Sequence, residues 1–434
     1  MANTLKTFNR IKLQEYGEPV VLKSESIDLR AVAEANKRWK RVLGLSREPI
    51  RVEAISGDSI SLRAEAVTGV IRVGSTELEI APKFLNVSDE RWQAVLWRVL
   101  MAVEGGYIDD NVTTAHHLTS LSIPDLLAEM FLASYSKGAA RGLPRSYLLE
   151  QGSGNVLRGQ LDTSRLGGWL ARPWILPYTS DHFSDDTELA RLLRWSADCL
   201  STTVKFPGRA RALREISSSL AHVDKRPPHL FDAQKINLGL QHQMLDAARI
   251  VGILLLEGAG VDHSRGEHVL SGFLWDSDTI YENYIFWLCR RAVSQYGGRV
   301  SKSEEKFGSL VKGEARQLVT TPDVVFHDPT GSPIAIMDAK YKLLGARPKA
   351  SDTYQVLTAG HVLGCQRVSL VYPVATNRDS TVWRVPSGLG GDNARDIELT
   401  TLPINLMRLV QPEGQDFLVN TIKSWLDSEL FPNF

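Results

Sequence analysis

The chain has 434 residues, of which 43% are hydrophobic and 23% are charged, so it is long enough for about two or three domains with buried cores. Lys+Arg and Asp+Glu both number 50 and give a formal net charge of zero, which argues against a protein that captures DNA alone through a basic surface. The three cysteines have no CxxC spacing, so neither a zinc site nor a disulfide framework is expected.

No membrane or secretory segment is predicted. The first ten residues lack the apolar core of a signal peptide. The longest apolar run, residues 250–256, is far too short to span a bilayer. We therefore expect a cytoplasmic protein.

The first predicted elements are strands, and helices follow them. Residues 50–84 alternate apolar and polar side chains, with turn signals at 57–58 and 74–75. From Arg91 the apolar spacing becomes helical, and a second helix is expected over 124–138.

The middle of the chain is predicted to be a loop followed by helices. Residues 142–165 read as a loop-rich stretch. Residues 185–204 predict a helix whose first turn is acidic, at Asp185 and Asp186. Residues 243–260 predict a strongly apolar helix.

From about residue 272 the pattern mixes helices and strands. The predicted elements are a helix over 280–293, a strand around 319–327, a strand over 333–341, a helix over 352–363 and a strand over 367–374. This mixture indicates an α/β domain built on one sheet.

Two aspartates and a lysine lie on the two consecutive strands of this domain. Asp323 begins the strand "DVVFH", and Asp338 and Lys340 share one face of the strand "PIAIMDAKY". Mg²⁺ prefers oxygen ligands and commonly takes one or two carboxylates with waters and phosphate oxygens, and a nearby lysine can neutralise developing charge. The alternative is a solvated hairpin with a cross-strand Asp–Lys ion pair. These residues alone leave both interpretations open.

Two further polar residues lie on the flanking helices. Glu282 borders the apolar stripe of the first helix and could reach the same site, although Thr279-x-x-Glu282 is also a capping-box pattern. Gln355 lies near the start of the second helix, for which Ser351 or Asp352 is the expected N-cap. A solvated surface role for Gln355 is the alternative.

The order of the C-terminal motifs resembles a known family. "IYENYIFWL", "TPDVVF", "IMDAKYK", "DTYQVLTAG" and "LVYPV" occur in this order, which is similar to McrC, the nuclease subunit of McrBC-type modification-dependent restriction systems with a PD-(D/E)xK core. The upstream segments "GVIRVGSTELEIAPKF", "VLRGQLD" and "FSDDTELARLL" extend the resemblance over about residues 69–373.

The resemblance implies roles for the candidate residues. Asp323 and Asp338 would be metal-binding carboxylates, Lys340 the catalytic lysine, and Glu282 an upstream acidic residue of the catalytic and metal site. Gln355 would be an accessory polar residue. Some relatives carry a tyrosine four residues after this glutamine, where this chain has Ala359.

The resemblance also implies an α+β and α/β multidomain architecture. A β-rich N-terminal domain over residues 1–165 would bind the partner, a hexameric AAA+ GTPase ring similar to McrB, with Arg72, Glu77 and Lys83 as candidate contacts. A helical segment would lead into a nuclease domain over residues 166–434, whose core at about 272–434 has a central mixed sheet. The alternative for each of the three charged residues is an ordinary strand-edge charge.

The function implied is a Mg²⁺-dependent endonuclease that cleaves double-stranded DNA with modified bases of the 5-methylcytosine type and stimulates its partner's GTPase. GTP would bind to the partner, because the chain has no G-x-x-x-x-G-K-[ST] loop. Two alternatives remain: a regulatory adaptor of an AAA+ motor that does not cut, and a standalone structure-specific DNA nuclease.

Overall fold

The structure is a computed structural model that describes residues 9–56, 58–85, 88–89, 91–103, 122–140, 142–168, 172–259, 272–294, 296–302, 305–309, 317–345, 347–386 and 396–427. The chain forms two compact units, one made of residues 1–123 and 258–434 and the other of residues 124–257. The functional division predicted between residues 165 and 166 stays a prediction.

The N-terminal part of the first unit is rich in strands, as expected. Its elements are β1 (Asn9–Gln14), β2 (Val20–Lys23), α1 (Leu29–Val42), β3 (Ile50–Ser56), β4 (Ser59–Ala64), β5 (Val67–Val73), β6 (Thr76–Ala81) and α2 (Arg91–Val103). Helix α1 was not predicted. It begins after Asp28, whose carboxylate accepts hydrogen bonds from the Arg30 and Ala31 amides, and it buries Trp39 in the N-terminal core.

The second unit contains helices and a small sheet. Its elements are α3 (Ile123–Ala139), β7 (Ser146–Gly154), β8 (Gln160–Leu161), β9 (Leu176–Ser184), α4 (Glu188–Thr203), α5 (Pro207–Ser219), α6 (Leu230–Lys235) and α7 (Asp246–Ala259). The loop predicted over 142–165 is wrong, because β7 pairs along its whole length with β9, and β8 pairs with the same strand.

The start of α4 also differs from the prediction. The helix begins at Glu188, and the Thr187 hydroxyl caps it by accepting a hydrogen bond from the Ala190 amide. The Asp186 carboxylate lies outside the first turn and binds the Arg191 guanidinium at 2.7 Å. Within the described residues, no helix has the length and apolar character needed to cross a membrane.

The C-terminal part of the first unit follows the predicted order. Its elements are β10 (Gly272–Asp276), α8 (Ser277–Ser294), β11 (Arg299–Ser301), β12 (Glu305–Ser309), β13 (Gln317–Thr320), β14 (Val324–His327), β15 (Pro333–Ala339), α9 (Ala350–Leu363), β16 (Arg367–Val374), β17 (Thr381–Val385), β18 (Ile397–Asn405) and α10 (Gly414–Asp427). The strand predicted around 319–327 is two strands, because β13 pairs with β12 whereas β14 pairs with β15.

A six-stranded sheet in the order β11-β14-β15-β16-β18-β17 forms the centre of this part. Strands β14 and β15 are antiparallel, while β15, β16 and β18 are parallel, so the predicted mixed sheet is present. Alternation along β15 points Ile336 into a cluster with Val356 of α9 and Met337 towards Cys289 of α8, with the two sulfurs 3.5 Å apart. Helices therefore pack on both faces of β15.

A second sheet, β1-β6-β5-β10, joins the N-terminal strands to the strand that leads into α8. Gly69 of β5 has φ +137°, and a Cβ atom there would lie 2.1 Å from the carbonyl oxygen of Phe273 in β10. Only glycine fits this close approach. The N-terminal strands and the C-terminal sheet thus belong to one compact unit, and the predicted mixture of α and β structure is confirmed.

Candidate active site

The two predicted aspartates come together at one end of the mixed sheet. Because Val324 pairs with Met337 in the antiparallel β14–β15 register, the preceding residue, Asp323, lies opposite Asp338. The Asp323 Oδ2 atom accepts a hydrogen bond of 2.8 Å from the Ala339 amide. The hairpin thus holds the two carboxylates side by side.

Asp338 is a buried charge, and its partner is Lys340. The residue is 1% exposed, and the Lys340 ammonium group forms an ion pair with its carboxylate. The Lys340 side chain is itself only 12% exposed. The alternative of a solvated hairpin with a cross-strand ion pair is therefore wrong, since β15 is an interior strand and the pair joins Asp338 of β15 to Lys340, the residue that directly follows this strand.

Burial and the neighbouring Asp323 carboxylate together raise the pKa of Asp338 to about 7, against the opposing effect of the Lys340 ammonium group. Removal of the carboxyl group from water is the main cause of this shift, and the second carboxylate adds to it. Strongly perturbed carboxyl groups of this kind are typical of functional sites.

Glu282 lies beside this pair and is bound by a lysine that the sequence did not indicate. Lys302, which follows β11, donates a hydrogen bond of 3.1 Å to Glu282 Oε2 and has its Nζ atom 3.6 Å from Asp323 Oδ1. Burial raises the pKa of Glu282, as does the Asp323 charge, while the Lys302 side chain lowers it. Lys302 thus bridges two of the predicted site residues.

The capping-box alternative for Glu282 is contradicted. Helix α8 begins at Ser277, so Thr279 is already within the helix and cannot be its N-cap. The Asp276 carboxylate caps the helix instead, by accepting a hydrogen bond of 2.7 Å from the Thr279 amide. Glu282 is free of a capping role and faces Lys302.

Gln355 contacts the candidate catalytic lysine. Its Oε1 atom accepts a hydrogen bond of 3.1 Å from Lys340 Nζ, although the residue is solvent exposed. Helix α9 begins at Ala350, with Lys349 at the N-cap position, so the predicted cap at Ser351 or Asp352 is wrong. The Asp352 carboxylate binds the Lys342 ammonium group at 2.8 Å.

The carboxylates of the site are candidate ligands for a divalent cation. Among the described residues, no group of three or more His, Cys, Asp and Glu side chains is arranged to hold a metal ion. The neighbouring carboxylates of Asp323 and Asp338 do fit Mg²⁺, which is commonly held by one or two carboxylates with waters and substrate phosphates. The metal-binding role of Glu282 stays a prediction.

The predicted N-terminal contact residues already have partners within the chain. Arg72 and Arg10 lie 3.5 Å and 3.4 Å from the carboxylate oxygens of Glu77, which is buried. The Lys83 ammonium group lies 3.7 Å from the centre of the Tyr341 ring. These residues are parts of the fold, and their role in partner binding stays a prediction.

The fold and this end of the sheet define a mixed α/β protein with a paired-carboxylate and lysine site. Residues 62–373 match the family described as McrBC 5-methylcytosine restriction system component, and the chain belongs to that family. The McrC resemblance seen in the motif order is thereby confirmed.

Two solved structures contain similar chains. One is the half-complex from the tetradecameric assembly of Thermococcus gammatolerans McrB AAA+ hexamers with bound McrC, with a TM-score of 0.56 and 15% identity over 96% of this chain and 100% of that chain. The other is the cryo-EM structure of the Thermococcus gammatolerans McrBC complex, with a TM-score of 0.45 and 17% identity over 66% of this chain and 89% of that chain. Among curated proteins, no sequence matches this chain. At 15% identity the first structure shows a shared fold.

Proposed function

We propose that this chain is the endonuclease subunit of a McrBC-like, modification-dependent restriction complex, and that it cleaves double-stranded DNA by Mg²⁺-dependent phosphodiester hydrolysis. The observation that carries this proposal is the Asp323–Asp338 pair, of which Asp338 is buried, with Lys340 beside it at the end of the mixed sheet. The order α8, β14, β15, α9 and β16 is the order expected of a PD-(D/E)xK core, which we assign to this domain.

The residues present suit this chemistry. Asp323 and Asp338 would hold the Mg²⁺ ion, which when bound supplies Lewis acidity and lowers the pKa of coordinated water. Lys340 presents its ammonium group next to Asp338, where it can attract a phosphate oxygen or orient water. Gln355 restrains that lysine through their hydrogen bond. The hydrogen-bonded pair of Glu282 and Lys302 lies on the Asp323 side of the site.

We further propose an AAA+ GTPase ring similar to McrB as the partner. The McrC in the Thermococcus gammatolerans structure is bound to McrB AAA+ hexamers. This chain has no phosphate-binding loop motif of its own and a net charge of zero, so nucleotide binding and capture of modified DNA would be functions of the partner. In this proposal the N-terminal β-rich region contacts the ring, and the chain stimulates GTP hydrolysis.

The proposal is tested by reconstituting the chain with its AAA+ partner and 5-methylcytosine-containing DNA. Asp338→Ala and Lys340→Ala should each lower the rate of DNA cleavage at least about a hundredfold and leave GTP hydrolysis by the partner unchanged. Asp379→Ala, which removes a carboxylate from an exposed position, is the control and should cleave like the wild type.

The other outcomes distinguish the alternatives. Cleavage by Asp338→Ala at the wild-type rate would refute the site. A wild-type complex that hydrolyses GTP but never cuts would be a regulatory adaptor. Efficient cutting by the purified chain without a partner would indicate a standalone nuclease.

A further inference from the structure

A cluster of the buried Glu15 and Tyr341 with the half-buried Lys83 lies next to the proposed nuclease centre and is assigned no role by the chemistry above. Tyr341 follows Lys340 directly, two residues after Ala339, at which the strand that carries Asp338 ends. Adjacent residues of an extended chain point to opposite faces, so the tyrosine ring lies on the face away from the lysine ammonium group. What restrains the tyrosine therefore restrains the backbone of the lysine.

The Lys340 backbone is held by a hydrogen bond to one neighbouring strand. Its amide donates a hydrogen bond of 2.8 Å to the Val371 carbonyl of β16, and the Lys342 amide donates one of 2.7 Å back to the Lys340 carbonyl. The chain therefore turns immediately after the lysine. Tyr341 is the central residue of this turn, and its side chain is the next contact that fixes the chain after Lys340.

The polar attachment of Tyr341 comes from the N-terminal strands. Its hydroxyl donates a buried hydrogen bond of 2.6 Å to Glu15 Oε2, and the Lys83 ammonium group lies 3.7 Å from the ring centre. The rings of Phe84 and Tyr281 each lie 5.6 Å from the Tyr341 ring. Because Tyr281 precedes Glu282 on α8, the cluster adjoins α8, which carries Glu282, as well as the end of β15, which carries Asp338.

Glu15 is itself held rigidly by backbone contacts. Its amide donates a hydrogen bond of 2.9 Å to the Ala81 carbonyl, and the residue forms a β-bridge with Ala64. The Lys83 amide donates a hydrogen bond of 3.3 Å to the same Oε2 atom that accepts from Tyr341. Glu15 thus links the backbone of the N-terminal strands to Tyr341 by hydrogen bonds, so a shift of these strands would move Tyr341.

Stability alone does not explain a glutamate at this place. Glu15 is 1% exposed, and within the described part of the chain its Oε1 atom makes no hydrogen bond. A buried, incompletely paired carboxylate costs free energy, and an apolar residue of similar size is often more stabilising. Glu15 is thus unfavourable for stability, and it bonds to Tyr341, the residue after the proposed catalytic lysine. A role in positioning that lysine explains it better.

We propose that Glu15 and Tyr341 are positioning residues, whose hydrogen bond makes the alignment of Lys340 depend on the packing of the N-terminal β-rich region. This inference rests on the proposed nuclease function. The N-terminal region, through which the partner ring is proposed to bind, is in this way mechanically connected to the cutting site.

The test uses the full chain in complex with its AAA+ partner, and it separates kcat from KM for DNA cleavage. Tyr341→Phe keeps the ring and removes the hydroxyl, and Glu15→Met removes the acceptor. Each should lower kcat about tenfold, with the KM for DNA and the stimulation of GTP hydrolysis unchanged. The double variant should be no slower than Glu15→Met alone, because both changes break the same bond.

Two further variants separate positioning from folding. Glu15→Gln retains an oxygen that can accept from the Tyr341 hydroxyl, so it should recover most of the kcat lost in Glu15→Met. Tyr284→Phe is the matched control. Its hydroxyl is also buried and makes no hydrogen bond within the described residues, so it should cleave like the wild type.

A Tyr341→Phe complex with wild-type kcat would overturn the inference, and so would a parallel loss of cleavage and GTPase stimulation, which would indicate a general packing role. Either result leaves the nuclease assignment standing if the wild type cuts. A wild-type complex that does not cut with Mg²⁺ would overturn the proposed function, and this inference with it.

Discussion

The buried Glu15 predicts an unusual dependence of stability on pH. Burial raises the pKa of Glu15 to about 7, against the opposing effects of the Lys83 ammonium group and the Tyr341 hydroxyl. A carboxyl group with a raised pKa in the folded state contributes stability that is fully present below its unfolded-state pKa and is lost as the pH rises through its folded-state pKa. The window for this loss runs from the ordinary value of 4.5 to about 7.

The size of the effect follows from this shift. One pKa unit corresponds to about 1.4 kcal/mol, so the whole window amounts to about 3 kcal/mol. Between about pH 5.5 and about pH 7.5 the wild type should lose about 2 kcal/mol of unfolding free energy through this one group. Gln does not titrate, so Glu15→Gln should gain about 2 kcal/mol relative to the wild type over the same interval.

Urea unfolding of the full chain at the two pH values measures this change. The difference between variant and wild type is compared at each pH, because the titration of other groups then cancels. Glu25→Gln makes the same substitution at an exposed position and is the reference. A difference that stays constant with pH, or that changes in the opposite direction, would refute the assignment of a buried, titrating Glu15.

Three further outcomes are expected. Lys302→Met should lower the Mg²⁺ concentration for half-maximal cleavage about two- to fivefold. The ion pairs of Lys302 with Glu282 and Asp323 compete with the cation and weaken its binding free energy by up to about 1 kcal/mol. An unchanged Mg²⁺ dependence would contradict this. Gln355→Ala should reduce single-turnover cleavage about tenfold by releasing Lys340, and an unchanged rate would make Gln355 a surface residue. Trp39→Ala should destabilise the first unit by about 3–5 kcal/mol in urea unfolding, since Trp39 is fully buried, and a cost below about 1 kcal/mol would contradict the N-terminal core.

Elements whose pattern is local were predictable from the sequence. The alternation over residues 50–84 became β3 to β6, and the strand predicted over 367–374 has the bounds of β16. Helix α1 was missed although Asp28 and the helical spacing of its buried residues mark it. Strand β7 could not be recognised, because its pairing partner β9 follows only after an intervening segment and its own sequence contains two glycines and two serines within 146–154.

The same distinction applies to the site. The strand predicted over 333–341 ends at Ala339, but the expected proximity of Asp338 and Lys340 is seen in their ion pair. Asp323 reaches Asp338 through the β14–β15 hairpin. Lys302 is 20 residues from Glu282, and Glu15 is 326 residues from Tyr341. No local pattern connects such pairs, because they meet only through the tertiary fold.

The charges around the site explain why a divalent cation suits it. Asp323, Asp338 and Glu282 contribute three carboxylates, against which Lys302 and Lys340 contribute two ammonium groups. With all five groups ionised the net charge is negative by one, which would repel the phosphodiester anion. Burial is the main cause of the raised pKa values of Asp338 and Glu282, and the neighbouring Asp323 carboxylate adds to it. A bound divalent cation would change the net charge of the site from negative to positive. We therefore infer that DNA binding at the carboxylates is coupled to metal binding.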